Sequence, residues 1–383
     1  MNNPAAATVT QLTPAPTRER PPASVYGPMA WMRANLFSGV FSSIVTIVLG
    51  FLIVYAVYGL FQWAVVNAVW SVPTTAAGAL DPTSCRLVHG VGACWAAIGD
   101  KWRFMLFGRY PYEQQWREAL CLLLFIGLFW VSSDSRFWNK WLGAIWAVTL
   151  VVIFTLMWGG VFGLAYVAQD EWGGLPITLI LATFGLALAF PLAVLVALGR
   201  RSTKLPAVKM LCVVYVELIR GVPLIALLFM ANVMFPLFMP VGINPDKLLR
   251  AQVAIILFAA AYLAEVVRGG LQALPKGQAE AADALGLTYW QKTIKITLPQ
   301  ALRLVIPPLV NTFIGFFKDT SLVLTIGILD FLTSSKTAMA DPTWQGVSTE
   351  IYIVVALVYV AFCYTMSSYS RGVERKLDRV RNR

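Results

Sequence analysis

Charged side chains are scarce in this 383-residue chain. Asp, Glu, Lys and Arg together make up 13% of its residues, whereas 58% are hydrophobic. A soluble domain carries about twice that share of charge, so the composition excludes a soluble globular protein. Because a bilayer-spanning helix takes about 20 apolar residues, the length has room for up to about ten spans. We predict an all-α protein, a polytopic transmembrane helical bundle.

Histidine is nearly absent, since His89 is the single one in the sequence. This excludes multi-histidine metal sites and histidine-dependent catalytic triads built within the chain. The phosphate-binding pattern G-x-x-x-x-G-K-[ST] is also missing from the sequence, so we expect no nucleotide site. The sequence therefore predicts a non-catalytic chain that binds no cofactor of its own.

Positive charge exceeds negative charge, with 30 Lys and Arg residues against 19 Asp and Glu residues and a formal net charge of +11. In membrane proteins, such a surplus lies mostly in cytoplasmic loops, where it determines the topology. This interpretation is favoured over nucleic-acid binding, and we expect no nucleic-acid partner.

Eight apolar stretches are candidates for membrane spans. If the N-terminus is cytoplasmic, the basic connections between them fall on the cytoplasmic side, as the positive-inside rule requires. Both termini are therefore predicted to be cytoplasmic. The stretches are about 38–66, 118–133, 141–159, 175–198, 207–238, 249–271, 300–326 and 350–369.

The same pattern divides the chain into segments. Residues 1–37 are rich in proline, and such a composition cannot bury a core, which predicts a disordered cytoplasmic N-terminal tail. The spans of residues 38–174 precede those of residues 175–370, and residues 371–383 form a basic cytoplasmic tail.

Residues 67–117 form an aromatic insert between the first two spans, predicted to lie outside in the periplasm. Within it, Cys85 and Cys94 would face an oxidising compartment, so they either form a disulfide or remain two unpaired thiols. The aromatic residues fit a segment that rests at the membrane interface. A docking surface for a partner protein is the alternative.

The cytoplasmic connection 272–299 carries a spaced pattern. Residues 278–285 are rich in Ala and Glu, and Gly286 follows where a left-handed cap is favoured, which predicts a short helix with a sharp turn behind it. Its alanines would let a partner's groove approach closely, and Glu280 and Asp283 can pair with partner donors. A second helix over residues 288–297 is expected to end at Pro299. The alternative, a helix lying on lipid headgroups, usually needs basic residues that 279–285 lacks.

Several motifs resemble those of one transporter family. The spacing from Glu280 to Pro299 matches the signature loop of ABC importer permeases at every defined position. Across about residues 175–335, the chain further resembles the polar amino-acid branch of that family. The insert, with its FGRYPY motif at 107–112, resembles one of the two membrane subunits of a general L-amino-acid permease. The motifs of the polar amino-acid branch are ELIRGVPL at 217–224, LPKGQ at 274–278 and KDTSL at 318–322.

The resemblance implies an ABC importer permease core at 175–370, with 272–299 as its cytoplasmic coupling loop, in a bacterial inner membrane. It implies a heterodimer with a second, homologous permease subunit. It also implies an ABC ATPase dimer that binds ATP and Mg, and a periplasmic amino-acid-binding protein that delivers an L-amino-acid substrate. An ion-coupled secondary amino-acid transporter is the alternative, but it leaves the loop pattern unexplained. The residues expected to couple to the ATPase are Glu280, Ala281, Ala282, Asp283, Leu285, Gly286, Ile296, Leu298 and Pro299.

Two Glu-x-x-Arg-Gly motifs place charges inside the predicted spans, one with Glu217 and Arg220 and one with Glu265 and Arg268. Intramembrane charges are costly and often functional. Either Arg220 meets a substrate carboxylate in the pathway, or each Glu pairs with the Arg three residues later inside the bundle.

The seventh span predicts a substrate-binding face, because Thr312, Gly315, Phe316 and Asp319 recur at helical spacing. Asp319 could accept the ammonium group of an amino acid, while neighbouring polar residues form hydrogen bonds. Simple helix packing at Gly315 is the alternative. The residues predicted to bind substrate are Asp319, Thr312, Asn311, Phe316, Thr320 and Arg220.

Overall fold

The computed structural model describes residues 27–75, 78, 80–138, 141–240, 242 and 245–381. The chain divides into two compact units, residues 1–68 and 69–383, and each is described by itself. One short strand, β1 (Leu329–Asp330), accompanies the helices in this part of the chain. The α-helices there are α1 (Pro28–Asn35), α2 (Val40–Phe61), α3 (Thr83–Leu87), α4 (Trp95–Phe107), α5 (Gln115–Ser133), α6 (Trp141–Trp158), α7 (Gly174–Arg200), α8 (Pro206–Gly221), α9 (Leu224–Phe229), α10 (Lys247–Ala273), α11 (Lys276–Ala284), α12 (Tyr289–Lys292), α13 (Leu298–Asp319), α14 (Phe331–Ala338) and α15 (Ser348–Arg381).

The first unit contains α1 and the long apolar helix α2. The hydroxyls of Ser42 and Thr46 both donate to the carbonyl oxygen of Leu36, at 3.0 and 2.8 Å, and fix the turn between the two helices. Helix α1 falls within the segment predicted to be disordered, so that prediction extends too far at its C-terminal end. Pro28 fits the first turn of α1 because no helical N–H is needed there. Residues 1–26 of the predicted tail lie outside the described residues.

The prediction of about eight spans is confirmed, with one difference in the fifth span. Seven helical runs in the described part of the chain are long and apolar enough to cross a membrane. The eighth candidate is α8 followed by α9 and its continuation to Phe238, and the two parts are bent by 104°. Pro223 precedes α9 with an extended backbone. Since proline cannot supply a helical N–H, the stretch 207–238 is a broken span or a re-entrant loop.

Helix α10 lies at the centre of the second unit, where it packs against α7, α8 and α13. Small side chains allow the close approach of these helices. A Cβ on Gly270 of α10 would lie 2.8 Å from the carbonyl oxygen of Ala301 in α13. Ala259, Ala260 and Ala261 are fully buried in the middle of α10.

The aromatic insert packs on the last third of the chain. The structure contains the disulfide between Cys85 and Cys94, whose Cα atoms are 5.4 Å apart. The backbone N–H of Cys94 donates to Oε1 of Glu350, at the start of α15, over 2.9 Å. Trp344 donates its indole N–H to Asp100 at 2.7 Å. The insert is therefore anchored to residues about 250 positions later in the chain.

The end of α4 meets the start of α7 at three glycines. A Cβ on Gly108 would lie 2.6 Å from the Cα of Gly173, and a Cβ on Gly174 would overlap the carbonyl oxygen of Leu106. Gly108 and Gly174 also have φ values of +59° and +67°, a region that side chains disfavour. Only glycine fits this contact without displacing the backbone.

The start of α5 is anchored by fully buried Arg117. Its Nε donates to the carbonyl oxygen of Leu156 at 2.6 Å, and its Nη1 donates to that of Ala165 at 2.9 Å. These contacts satisfy carbonyl groups at the C-terminal end of α6 and in the loop after it. Arg117 therefore joins the insert to the third span.

Candidate functional site

The predicted coupling loop contains the short helix α11, which ends as the sequence indicates. Gly286 has φ +73°, in the left-handed region, directly after the last residues of the helix. The N–H groups of Gly286 and Leu287 donate to the carbonyl oxygens of Asp283 and Ala282, at 2.9 and 3.2 Å. Such a cap satisfies carbonyl groups that a helix end otherwise leaves unpaired. The chain thus turns sharply between α11 and α12.

Helix α11 has one inward and one outward face. Ala282 is buried, whereas Glu280, Ala281 and Gly286 are exposed and the side chain of Leu285 is 80% exposed. Asp283 is exposed, but its carboxylate contacts Nζ of Lys292 at 2.6 and 2.7 Å. It therefore holds α11 against α12 of the same chain, a contact that the sequence interpretation did not include. Glu280 remains on the outward face.

The exposed face continues into residues that the sequence interpretation missed. Tyr289, Trp290 and Ile294 are 49%, 57% and 59% exposed, next to the exposed Leu285 in the chain. Large apolar side chains that face out of a polar connection are typical of a protein–protein contact. The sequence does contain an indication of this surface, because aromatic and β-branched residues lie inside the otherwise polar loop pattern.

The expectation that Pro299 ends the second helix is wrong. Helix α12 begins with a capping box between Thr288 and Gln291, and helical structure then continues from Tyr289 to Ile326. A π-helical turn at Thr293–Thr297 leads directly into α13. Pro299 lies in the first turn of α13, where a missing N–H costs little. Ile296, Leu298 and Pro299 therefore belong to the connection between the loop and the seventh span.

The intramembrane charges form one network that spans three helices. Glu265 of α10 contacts Nη1 of Arg200 at 2.8 Å and Nη1 of Arg220 at 3.9 Å, and it pairs with Arg268 on its own helix. Arg200 of α7 also contacts Glu217 of α8 at 2.9 Å. Helical spacing offers Arg220 as the partner of Glu217, but in the structure Glu217 pairs with Arg200. The reason is that the Arg200 side chain of α7 reaches both α8 and α10.

Arg220 connects this network to the predicted substrate face. Its guanidinium lies 5.3 Å from the ring centroid of Tyr262, a cation–π distance. The Tyr262 ring meets the edge of Phe316 at 6.1 Å, and Phe258 meets it at 5.9 Å. Phe316 is buried against α10. The rings of Tyr262 and Phe316 therefore form a wall that separates the charge network from the rest of the predicted substrate face of α13.

The other predicted substrate residues occupy different environments along α13. Asn311 is exposed, and the hydroxyl of Thr312 donates to the carbonyl oxygen of Pro308 at 2.8 Å. Thr320 is buried, and its hydroxyl donates to the carbonyl oxygen of Phe317 at 2.7 Å. Within the described residues, the partly buried Asp319 carboxylate accepts no hydrogen bond and forms no ion pair. The Asp319 carboxylate is therefore free to accept hydrogen bonds from a ligand.

Two cations near the start of α10 were not singled out from the sequence. Nζ of Lys247 donates to the carbonyl oxygens of Ile326 and Gly327, at 3.1 and 3.2 Å. Arg250 donates to the carbonyl oxygen of Asn232 at 2.8 Å. These contacts join the broken span and the end of the seventh span to α10. The sequence could not predict these hydrogen bonds, because the backbone carbonyl groups that accept them are brought near the two cations only by the fold.

Comparison with known proteins identifies the family. The model of the "binding-protein-dependent transport system inner membrane component" family matches residues 189–379. The inner membrane amino-acid ABC transporter permease protein YhdY of Escherichia coli (strain K12) is 47% identical over 91% of this chain and 93% of its own length. The glutamate/glutamine/aspartate/asparagine transport system permease protein BztC of Rhodobacter capsulatus is 37% identical over 94% of this chain and 95% of its own length.

Among solved structures, a chain described as the "crystal structure of an amino acid ABC transporter with histidines" is 30% identical. It covers 53% of this chain and 92% of its own length, with a TM-score of 0.47. These comparisons give no support to the ion-coupled alternative. The protein is a multi-pass inner-membrane protein, and it belongs to the amino-acid permeases of the binding-protein-dependent ABC importers.

Proposed function

We propose that this chain is the permease subunit through which an ATP-driven importer passes L-amino acids from a periplasmic binding protein into the cytoplasm. The observation that carries the proposal is the exposed, sharply capped helix α11, held on a buried Ala282 and presenting Glu280. The names of the relatives YhdY and BztC support the amino-acid class.

The coupling step follows from the shape of this connection. Exposed Leu285, Tyr289 and Trp290 provide apolar contact area for an ATPase surface, and Glu280 provides a charge for a partner donor. Because α12 and α13 form one helical run with the π-helical turn between them, a force applied at α11 reaches the seventh span directly. ATP and Mg are bound by the partner, and this chain supplies the moving spans.

The substrate contacts are proposed for the region between α8, α10 and α13. The free carboxylate of Asp319 is suited to the ammonium group of an amino acid. Arg220 lies beyond the rings of Tyr262 and Phe316, so its N–H groups would meet a substrate carboxylate at a different point of the pathway. Asn311 and Thr312 would supply weaker polar contacts along α13, whereas the buried Thr320 would act only by fixing the backbone next to Asp319. The wall of Phe316 and Tyr262 leaves the side chain of the substrate few specific polar contacts, which supports a broad range of L-amino acids.

The partners are proposed from the family. We infer a heterodimer with a second permease subunit, an ATPase dimer below it and an amino-acid-binding protein above it. General L-amino-acid transport, as the insert motif suggests, is the finer form of this proposal. Relatives named GlnP and GlnM, both "probable glutamine ABC transporter permease" proteins of Bacillus subtilis, support paired permeases.

The test is amino-acid uptake by the assembled transporter in proteoliposomes containing ATP. We expect Asp319→Asn to reduce the apparent affinity about tenfold, because a charge-assisted hydrogen bond contributes about 1.5–3 kcal/mol. Asp319→Glu, which keeps the charge, serves as the matched control and should retain most uptake. Co-purification of the ATPase should be unchanged in both variants. Full uptake by Asp319→Asn would remove Asp319 from the substrate site.

A further inference from the structure

A cavity of about 280 Å³ lies between the end of α5 and the C-terminal part of α15. It does not belong to the coupling loop or to the predicted substrate face. The residues on α15 recur at helical spacing, so they form one row of that helix. The cavity is lined by Ser133, Trp138, Thr365, Tyr369, Gly372 and Val373.

The cavity lies where the apolar sequence of two candidate spans, the second and the last, comes to an end. Helix α5 ends at Ser133, and α15 changes from an apolar sequence to a charged one near Tyr369. Trp and Tyr concentrate at this level of a bilayer, beside the lipid headgroups. The indole N–H of Trp138 donates to the carbonyl oxygen of Ser132 at 2.9 Å, which fixes this ring at the edge of the cavity.

Donors for an anion are available around the cavity. Within the described part of the chain, the hydroxyl of Tyr369 has no hydrogen-bond partner. Arg136 is two residues before Trp138 in the chain, and its side chain is 88% exposed and contacts Asp134 only at 3.9 Å. Arg371 uses one N–H on the hydroxyl of Ser368, at 3.1 Å, and keeps its others. The hydroxyls of Ser133 and Thr365 donate to backbone carbonyls of their own helices, so they contribute acceptors and not donors.

Basic residues outnumber acidic ones in the described parts of the two segments that adjoin the cavity in the chain. Arg136, Arg371 and Arg375 stand there against Asp134 and Glu374. An excess of positive charge beside a pocket between spans favours an anionic lipid headgroup. Water-soluble anions lack the acyl chains that would lie along the exposed apolar surfaces of α5 and α15.

We propose that this cavity binds the phosphodiester headgroup of one anionic phospholipid, with the hydroxyl of Tyr369 as a donor to the phosphate and the basic residues of the adjoining segments as its counter-charge. The lipid would join the second and last spans at this end of the bundle, where the described residues show few direct contacts between α5 and α15. This inference concerns the membrane-embedded chain itself and does not depend on the identity of the transported substrate.

The experiment uses the full-length chain, purified in mild detergent and stripped of lipid. Phosphatidylglycerol and phosphatidylcholine are titrated separately, and the bound lipid is counted by native mass spectrometry. We expect one tightly bound phosphatidylglycerol, with an apparent affinity at least about tenfold higher than that of phosphatidylcholine. Equal binding of the two lipids would overturn the proposal.

Gly372→Leu provides the sharpest variant, because a Cβ at this position meets no atom within 4 Å and the longer side chain would fill the cavity. We expect it to weaken phosphatidylglycerol binding at least about tenfold. Gly127→Leu, on the exposed part of α5, has the same open space and is the matched control. Unchanged binding in Gly372→Leu would exclude this cavity as the lipid site.

Tyr369→Phe removes one hydroxyl and keeps the ring, so it tests the site even if Gly372→Leu fails to fold. We expect a loss of binding of at least about tenfold, as for one hydrogen bond to a charged group. Inorganic phosphate and glycerophosphoglycerol, at the same concentrations, test a free anion as the source. Displacement of phosphatidylglycerol by either soluble anion would show a general anion site and overturn the lipid assignment.

Discussion

The coupling loop and the aromatic insert are built in opposite ways. Helix α11 depends on contacts within about 20 residues, such as the cap at Gly286 and the pair between Asp283 and Lys292. The insert depends on residues far along the chain, since Cys94 reaches Glu350 and Asp100 reaches Trp344. The loop is exposed and is held by contacts that are local in the sequence, whereas the insert is partly buried and is held by long-range contacts.

This difference fits the separate roles that we propose for the two segments. A segment that docks a partner keeps an exposed face and few internal contacts, so a partner can engage it without disrupting the core. A segment that fixes the ends of several spans needs many long-range contacts. Damage to α11 should therefore affect transport more than stability, whereas damage to the insert should do the reverse.

The largest effect is expected from Glu280→Lys, which reverses the charge on the exposed face of α11. We expect ATP-driven uptake to fall by more than about tenfold, because one unfavourable charge pair at an interface costs several kcal/mol. The melting temperature of the chain should stay within about 2 °C of wild type, since exposed positions contribute little to stability. Ala284→Ser, on the same helix, is the control and should transport normally. Normal uptake by Glu280→Lys would refute the coupling role.

Gly174→Ala should produce the opposite result at the insert. Its Cβ would overlap the carbonyl oxygen of Leu106, at a φ of +67° that alanine disfavours. We expect a loss of about 2–4 kcal/mol in stability, from the backbone strain and from overpacking. The measurement is the melting temperature in detergent. Gly127→Ala, where the added Cβ meets no atom within 4 Å, should melt like wild type. Similar melting of both variants would show that the glycine contact is not needed.

Loss of the disulfide should have a smaller effect. Cys94→Ser opens the loop closed by two cysteines nine positions apart, and the chain-entropy relation gives about 2–3 kcal/mol for a loop of that size. Proteolysis should become faster within the insert, because the N–H of position 94 is then held less firmly on Glu350. The ATPase should still co-purify. Cys212→Ser is the control, since Cys212 is a free cysteine. Unchanged protease resistance in Cys94→Ser would contradict the anchoring role.

The same comparison explains how much the sequence could predict. The cap at Gly286, the start of α2 and the apolar spans depend on neighbouring residues, so their types and spacing were sufficient. The expectation that Pro299 ends a helix is wrong because the first turn of a helix tolerates proline. Pro299 lies in such a turn because α13 begins directly after the π-helical turn Thr293–Thr297. For Glu217, helical spacing offered Arg220 as the partner in one of two alternatives. Its partner is Arg200 of another helix, which spacing along a single helix cannot report.

Within the candidate site, residue types indicated the chemistry but not the arrangement. Asp319 and Arg220 were predictable as charges inside spans. The wall of Tyr262 and Phe316 between them requires the packing of α10 against α13, which no local pattern contains. The exposed Tyr289 and Trp290 were missed for a related reason, since exposure of an aromatic residue depends on what the rest of the fold leaves uncovered.

The smallest effect concerns Asp330, which joins β1 to α14 beneath the insert. Its carboxylate accepts hydrogen bonds from the N–H groups of Leu332 and Thr333, yet burial raises its pKa from 3.8 to about 6. The folded state therefore binds more protons than the unfolded state between about pH 4 and 6, and stability decreases as the pH rises through this window. Acidification from pH 7 to pH 5 should stabilise the wild type by about 1 kcal/mol relative to Asp330→Asn, which keeps a helix cap but does not titrate. The measurement is the difference in melting temperature between the two proteins at each pH. A difference that does not change with pH would show that Asp330 keeps its charge throughout this range. Asp341→Asn, which removes the carboxylate of a partly exposed ion pair with Lys101, controls for other titrating groups.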